Sequence, residues 1–171
     1  MIVFEKIRWK NFLSTGNQFI EVNLNQHQDT LIVGHNGAGK STILDALCFT
    51  LFNKPFRDVR KDQMVNSVNL GGTETELEFS ISNNNYKIIR GIKPNKFEIY
   101  QNDTLLDQDA TVADYQKQLE NNILRFNYRS FTQVVILGSS AFVPFMELKS
   151  THRREVVEDI LDIKIFSIMS M

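Results

Sequence analysis

Eight consecutive residues, Gly34-His35-Asn36-Gly37-Ala38-Gly39-Lys40-Ser41, bring together the residue types needed to hold a polyphosphate. Glycines at 34, 37 and 39 let a backbone turn with positive φ and bring its N–H groups up to phosphate oxygens with no Cβ in the way. Lys40 is spaced to reach β- and γ-phosphates, and the Ser41 hydroxyl to ligate Mg2+. The chemistry implied is capture of a nucleoside triphosphate with its magnesium ion.

Such a loop works only between a strand and a helix. Leu31-Ile32-Val33, just before it, reads as a short buried strand. Residues 42–52 follow without Gly or Pro, and Ile43, Ala46, Leu47 and Leu51 recur at helical spacing. A helix beginning near Lys40 adds unpaired N–H donors and the positive end of its dipole to the same site.

The 171 residues allow one domain with a substantial core, and a net charge of −1 gives no overall field that advertises nucleic acid. Cys48 is the only cysteine, which excludes an internal disulfide and a multi-cysteine zinc site within these residues. Its place in the apolar helix makes it a buried structural thiol. The first residues lack the basic head and apolar run of a secretory leader, and no stretch has membrane-spanning length. A cytoplasmic protein without a membrane partner is expected.

The rest of the chain predicts a meander. Residues 2–9 alternate as a strand, Asn11 to Asn17 is a turn, and Phe19-Ile20-Glu21-Val22 is the hairpin partner. Strands are expected at 75–81, 86–90 and 96–100, separated by Asn83-Asn84-Asn85 and closed by Asn102-Asp103. This is α/β with α+β character, not the regular βαβ alternation of a Rossmann sheet or small GTPase. Thr111 can cap a helix reaching Leu124, with Val112, Tyr115, Leu119 and Ile123 on it. The run Val134-Val135-Ile136-Leu137 reads as a buried strand. Ser150 or Thr151 opens a last helix with Val156, Val157, Ile160 and Leu161 on one face. The expected organisation is a P-loop lobe over 1–150 and the start of a truncated coiled-coil helix over 151–171, half of a larger architecture.

Elimination narrows the class. No Asp is followed three residues later by Gly, and Asn53-Lys54-Pro55-Phe56 lacks the acid of a GTPase base-recognition motif. A self-sufficient ATPase needs a second strand ending in an acid. The only candidate, Val156-Val157-Glu158-Asp159, has neighbours at helical spacing. Leu70-Gly71-Gly72-Thr73 lacks the serine of an ABC signature and reads as a loop. The chain is expected to hold ATP without hydrolysing it alone.

Four segments together resemble a known family. They are Ile7-Arg8-Trp9-Lys10-Asn11-Phe12-Leu13-Ser14, the P-loop with Thr42-Ile43-Leu44-Asp45-Ala46, Phe131-Thr132-Gln133-Val134-Val135-Ile136-Leu137-Gly138, and Arg153 to Leu161. They resemble the N-terminal segment of the SMC-like, SbcC-like ATPases of DNA double-strand-break repair. Lys54-Pro55-Phe56-Arg57-Asp58-Val59 and Pro144-Phe145-Met146 are most similar to the large subunits of T-even bacteriophage recombination endonucleases.

The resemblance implies an ABC-type P-loop NTPase lobe that ends at the start of a coiled coil, and in the phage case a protein of the host cytoplasm. It implies catalytic roles for Lys40 and Gln133, Mg2+ ligation by Ser41 and Gln133, and Asn36 over the phosphates. Gly34, Gly37, Ala38, Gly39 and Thr42 complete the ATP contacts. Read without the family, Gln133 is a polar residue capping a strand. Leu13 stands where the family often has Arg, so the family's base or ribose contacts at that position are not carried over to this chain. The implied partners are a C-terminal lobe of the same protein, a second copy in an ATP-dependent homodimer, a nuclease subunit and double-stranded DNA. A Zn2+ hook is expected only at a coiled-coil apex that these residues lack. Lys54, Arg57, Arg60 and Lys61 are either DNA-backbone contacts or a solvated loop. Phe142, Phe145 and Met146 are either core or a partner surface. The rival readings are a truncated, non-catalytic nucleotide-binding product and a RecF-like ABC ATPase without a nuclease.

Overall fold

Alternation of apolar and charged side chains shapes six strands between residues 2 and 105. They are β1 (Ile2–Lys10), β2 (Ile20–Asn23), β3 (Thr73–Ile81), β4 (Asn84–Ile92), β5 (Lys96–Gln101) and β6 (Thr104–Leu105). Every neighbouring pair is antiparallel, and the order across the sheet is β2-β1-β3-β4-β5-β6. The expected hairpin and meander are both present: Trp9 faces Ile20, Leu77 faces Ile88, and Ile88 faces Ile99. The computed structural model describes residues 1–107, 111–136 and 143–161. The chain divides into two units, Met1–Asp109 and Ala110–Met171.

One face of the sheet is the core of the first unit. Ile7, Trp9, Leu77, Phe79, Ile88 and Ile99 are buried there. Helix α1 (Thr42–Phe52) lies against β1, β3 and β4, burying Ala46, Leu47, Cys48, Phe49, Leu51 and Phe52. Polar contacts lock the helix in place. The Thr50 and Thr75 hydroxyls meet at 2.7 Å, and the Arg90 Nε donates to the Thr50 carbonyl at 3.0 Å. The Arg90 guanidinium lies 3.7 Å from the centre of the Phe97 ring, so this buried cation has both a carbonyl and a π face. Its charge lies near the C-terminal end of α1, where the helix dipole favours it.

The opposite face is a lattice of charges. Arg8 donates to both Glu76 oxygens at 2.9 and 2.8 Å, and Lys87 reaches Glu76 at 2.9 Å. Lys6 pairs with Glu78 at 3.3 Å and Lys96 with Glu98 at 3.3 Å. Burial acts to raise the Glu76 carboxyl, but hydrogen bonds from Arg8 and Lys87 outweigh it and hold the group below its ordinary value of 4.5.

The second unit is helical. Thr111 caps α2 (Val112–Gln118) as expected, its hydroxyl accepting from the Asp114 N–H. The α-helical turn stops at Gln118, and Leu119–Leu124 continues as a π turn rather than as α-helix. Tyr115, Leu119 and Leu124 are buried, whereas Val112 is exposed. Helix α3 (Tyr128–Val134) packs on α4 (Ser150–Ile160). Asn127 and Arg129 both bond Glu155, and Ser130 bonds Asp159. On α4 only Val156 of the expected apolar face is buried; Val157, Ile160 and Leu161 are exposed.

Two expectations are overturned. Residues 31–33 do not form a strand, and Leu31 and Val33 are 87% and 80% exposed. An apolar β-branched triplet encodes a wish for burial, but a strand also needs a hydrogen-bonding neighbour, and none pairs with it among the described residues. Residues 134–136 are not a strand either: Gln133 and Val134 are the last residues of α3, whose start is capped by Asn127 accepting from the Ser130 N–H at 3.0 Å. Leu137, Gly138, Phe142 and residues 162–171 lie outside the described residues.

The charged lattice gives a stability test. Glu76 stabilises fully above its ordinary value, and the contribution is lost as pH falls through its lower folded value. Glu76→Gln should lower unfolding stability by about 1.5–3 kcal/mol at pH 7. The gap to wild type should narrow when urea melts are repeated at about pH 3. An equal gap at both pH values would exclude the carboxylate charge as its source.

Candidate nucleotide-binding site

The loop from Gly34 to Ser41 joins the exposed 31–33 segment to the N-terminus of α1. Gly37 and Gly39 take φ of +86° and +88°, the left-handed region that side chains disfavour. A Cβ on Gly34 would stand 3.3 Å from the Ala38 Cβ, so the turn is also tight. Among the described residues, the N–H groups from Asn36 to Ser41 make one backbone hydrogen bond, Ala38 to the His35 carbonyl at 3.1 Å. The other N–H groups remain as donors at the positive end of a helix, the arrangement that suits an anion.

Lys40 folds across this loop. Its Nζ donates to the Gly34 carbonyl at 2.6 Å and to the His35 carbonyl at 2.9 Å, which holds the ammonium over the loop. Ser41 is the N-cap of α1, yet its hydroxyl makes no capping bond. A hard oxygen ligand is thereby left for a cation. Thr42 is buried behind it.

A cleft of about 570 Å³ opens beside the loop. Asn36, Gly37, Gly39, Lys40, Ser41 and Thr42 line one side; Leu13, Ser14, Arg57, Val59, Gln63, Val65 and Ser67 line the rest. The far wall is pinned by asparagines. Asn66 donates to the Leu13 and Thr15 carbonyls at 3.3 and 3.0 Å, and the Asn11 Nδ2 donates to the Asn17 Oδ1 at 2.8 Å. Leu13 itself takes a positive φ of 53°.

Gly34 to Thr42 are therefore brought together as the spacing implies. Gln133 belongs to the second unit. Its Nε2 donates to the Val143 carbonyl at 3.0 Å, while its Oε1 is buried without a hydrogen-bond partner. An orphaned buried acceptor of this kind fits a metal or water ligand. The candidate acids of the sequence, Glu158 and Asp159, sit on α4 and bond Arg154 and Ser130.

The basic cluster does not act as one patch. Arg57 is bound to Asp45 and lines the cleft, and Arg60 pairs with Asp62 at 3.5 Å. Arg57 is the site residue that the spacing rules missed. Its signal was Asp45, a lone acid in an apolar helix, which must find a cation if buried.

Residues 6–167 match the AAA domain family. The chain is 44% identical over 158 residues to exonuclease subunit 2 of Enterobacteria phage T4, covering 92% of this chain and 28% of that protein. It is 27% identical over 171 residues to the DNA double-strand break repair Rad50 ATPase of Thermoplasma volcanium, covering 95% of this chain and 18% of the relative. Among solved structures, the Smc head domain with a coiled coil and joint derived from Pyrococcus yayanosii matches with a TM-score of 0.62 at 21% identity, covering 99% of this chain and 34% of that one. At that identity the likeness concerns the fold alone. The chain spans 28% and 18% of the lengths of the two curated relatives.

The loop geometry predicts a separation of stability from binding. Gly39→Val at φ +88° should cost about 1–3 kcal/mol of strain, within reach of a folded protein. Titration with inorganic triphosphate should show binding lost in the folded variant. Undiminished binding would mean that this turn is not the phosphate cradle.

Proposed function

The chain belongs to the AAA domain family, and from that membership we propose that it is the nucleotide-binding lobe of an SMC-like, ABC-type ATPase in DNA recombination and double-strand-break repair. The observation that carries this reading is the glycine loop, with Lys40 held over unpaired N–H groups at the start of α1. Residues 1–150 form the lobe and 151–171 begin the coiled coil.

When ATP enters, its phosphates replace the Gly34 and His35 carbonyls as partners of Lys40. N–H groups between Gly34 and Thr42 bind the phosphate oxygens, with Asn36 beside them. Mg2+, when bound, neutralises phosphate charge; Ser41 Oγ, which makes no capping bond, is the oxygen of the first unit that would hold it, and the family resemblance adds Gln133 as a ligand. Gln133 lies on α3 of the second unit, and the family resemblance gives it the role of linking the nucleotide to lobe movement.

Hydrolysis needs parts from elsewhere. Glu158 and Asp159, the candidate acids of the sequence, lie on α4 and are bound to Arg154 and Ser130. The lobe alone is therefore expected to bind ATP with little turnover. The exposed 31–33 segment supports a second lobe, because it offers an apolar, unpaired stretch directly before the loop. We place that lobe in the remainder of a protein as long as the phage and archaeal relatives. ATP-driven association of two such heads would clamp double-stranded DNA and gate a nuclease subunit.

Lys40→Ala should raise the Kd of a fluorescent ATP analogue for the chain by at least about tenfold. Retained affinity would overturn the site. Gln133→Ala should leave ATP affinity within about twofold and abolish ATP-dependent head association of the complete protein, read by light scattering. Association unchanged with ATP would remove Gln133 from the coupling.

A further inference from the structure

Every hydrogen-bonding position of the Asn66 side chain is occupied. The residue is buried, and its Nδ2 donates to the Leu13 carbonyl at 3.3 Å and the Thr15 carbonyl at 3.0 Å. Its Oδ1 accepts from the Val68 and Asn69 N–H groups, each at 2.9 Å. An asparagine amide has no further donor or lone pair to give. The backbone adds to the tie: the Asn66 N–H donates to the Asn11 carbonyl at 3.0 Å, and the Leu13 N–H to the Met64 carbonyl at 2.7 Å. The turn after β1 is thereby joined to the loop before β3.

That turn needs holding. Asn11 and Leu13 take φ of 50° and 53°, the left-handed region that side chains disfavour. Such a conformation lasts only where its surroundings enforce it, and it is concentrated at binding and catalytic sites. The two carbonyls that Asn66 grips belong to the residues on either side of Ser14, and Leu13 and Ser14 both line the cleft beside the glycine loop. A second tie reaches the same turn. Asn69 Nδ2 donates to Asn11 Oδ1 at 2.6 Å, and Asn11 Nδ2 to Asn17 Oδ1 at 2.8 Å.

The lining of the cleft points to what meets this wall. Its volume of about 570 Å³ lies within the range of small-molecule sites. With phosphates held at the glycine loop, the rest of a nucleotide has the opposite wall to pack on. Leu13, Val59 and Val65 make part of that wall apolar, and Ser14 and Ser67 set hydroxyls beside them. An apolar surface with a few polar groups suits a base and its sugar.

We propose that Asn66 is a positioning residue of the cleft, whose amide holds residues 13–15 so that Leu13 and Ser14 form the wall on which the nucleoside of the bound triphosphate packs. This rests on the reading of the cleft as an ATP site. The phosphates are then gripped by a helix N-terminus, and the nucleoside by a turn tied to a separate loop.

Asn66→Asp separates the two halves of the clamp. Its carboxylate still accepts from the Val68 and Asn69 N–H groups but sets an acceptor against the Leu13 and Thr15 carbonyls. Affinities of the 171-residue chain for ATP and for inorganic triphosphate are measured by calorimetry, with thermal melts alongside. Asn66→Asp should lower the ratio of ATP affinity to triphosphate affinity about tenfold. Leu13→Gly, which suits the positive φ, should lower the same ratio about threefold or more by removing the apolar contact. An unchanged ratio in either folded variant would make the asparagine clamp structural only and overturn the proposal. Retained binding of both ligands by Lys40→Ala would instead sink the ATP site itself, and the proposal with it.

A measurement on the wild-type chain avoids any folding defect. The Asn66 side-chain NH2 resonances should shift on adding ATP and keep their place with inorganic triphosphate. No difference between the two ligands at saturation would overturn the proposal.

Discussion

The seam between α1 and strands β1, β3 and β4 is the constraint on which the site depends. A glycine loop is soft by nature, and it can hold a phosphate only if the helix it opens into is fixed. Here the helix is fixed along its whole length. Phe49 and Leu51 are fully buried, the Thr50 and Thr75 hydroxyls meet across the interface, and Arg90 reaches the Thr50 carbonyl. At the other end Asp45 ties the first turn to the loop carrying Arg57. The unpaired N–H groups of the loop are thus aimed by contacts several turns away.

The sheet answers to the same helix. Its inner face exists to cover α1, and its outer face carries alternating charges that keep a six-stranded surface in water. The two edge strands are short, of four and two residues, which limits the backbone they leave unpaired. A different kind of opening lies at residues 31–33, where apolar side chains are exposed next to the loop. That segment leaves apolar side chains uncovered, and Gln133 Oε1 is a buried acceptor without a hydrogen-bond partner.

Much of this was legible along the chain. The glycine loop and the helix after it needed only spacing, because such a turn is a local backbone property of glycines followed by a helix start. The hairpin and meander followed from period-two alternation, which specifies a face as well as a strand. The cap at Thr111 followed from one side chain reaching one N–H. Less local features did not. Residues 31–33 looked like a strand by composition, but strand formation requires a partner. Residues 134–136 looked like one too, but Gln133 and Val134 are the last residues of α3.

What the sequence by itself determined is therefore the set of locally encoded parts: the glycine loop, Lys40 and Ser41 at its end, the amphipathic strands and the helix starts. Only the tertiary structure decided which of four clustered cations faces the cleft, which acid holds it, and which apolar stretches go uncovered. The reason is physical. Backbone turns and side-chain periodicity act over a few residues, whereas burial and ion pairing depend on groups the chain brings together from a distance. Asp45 and Arg57 stand twelve residues apart, and their bond exists because the loop after α1 turns back to the helix's first turn.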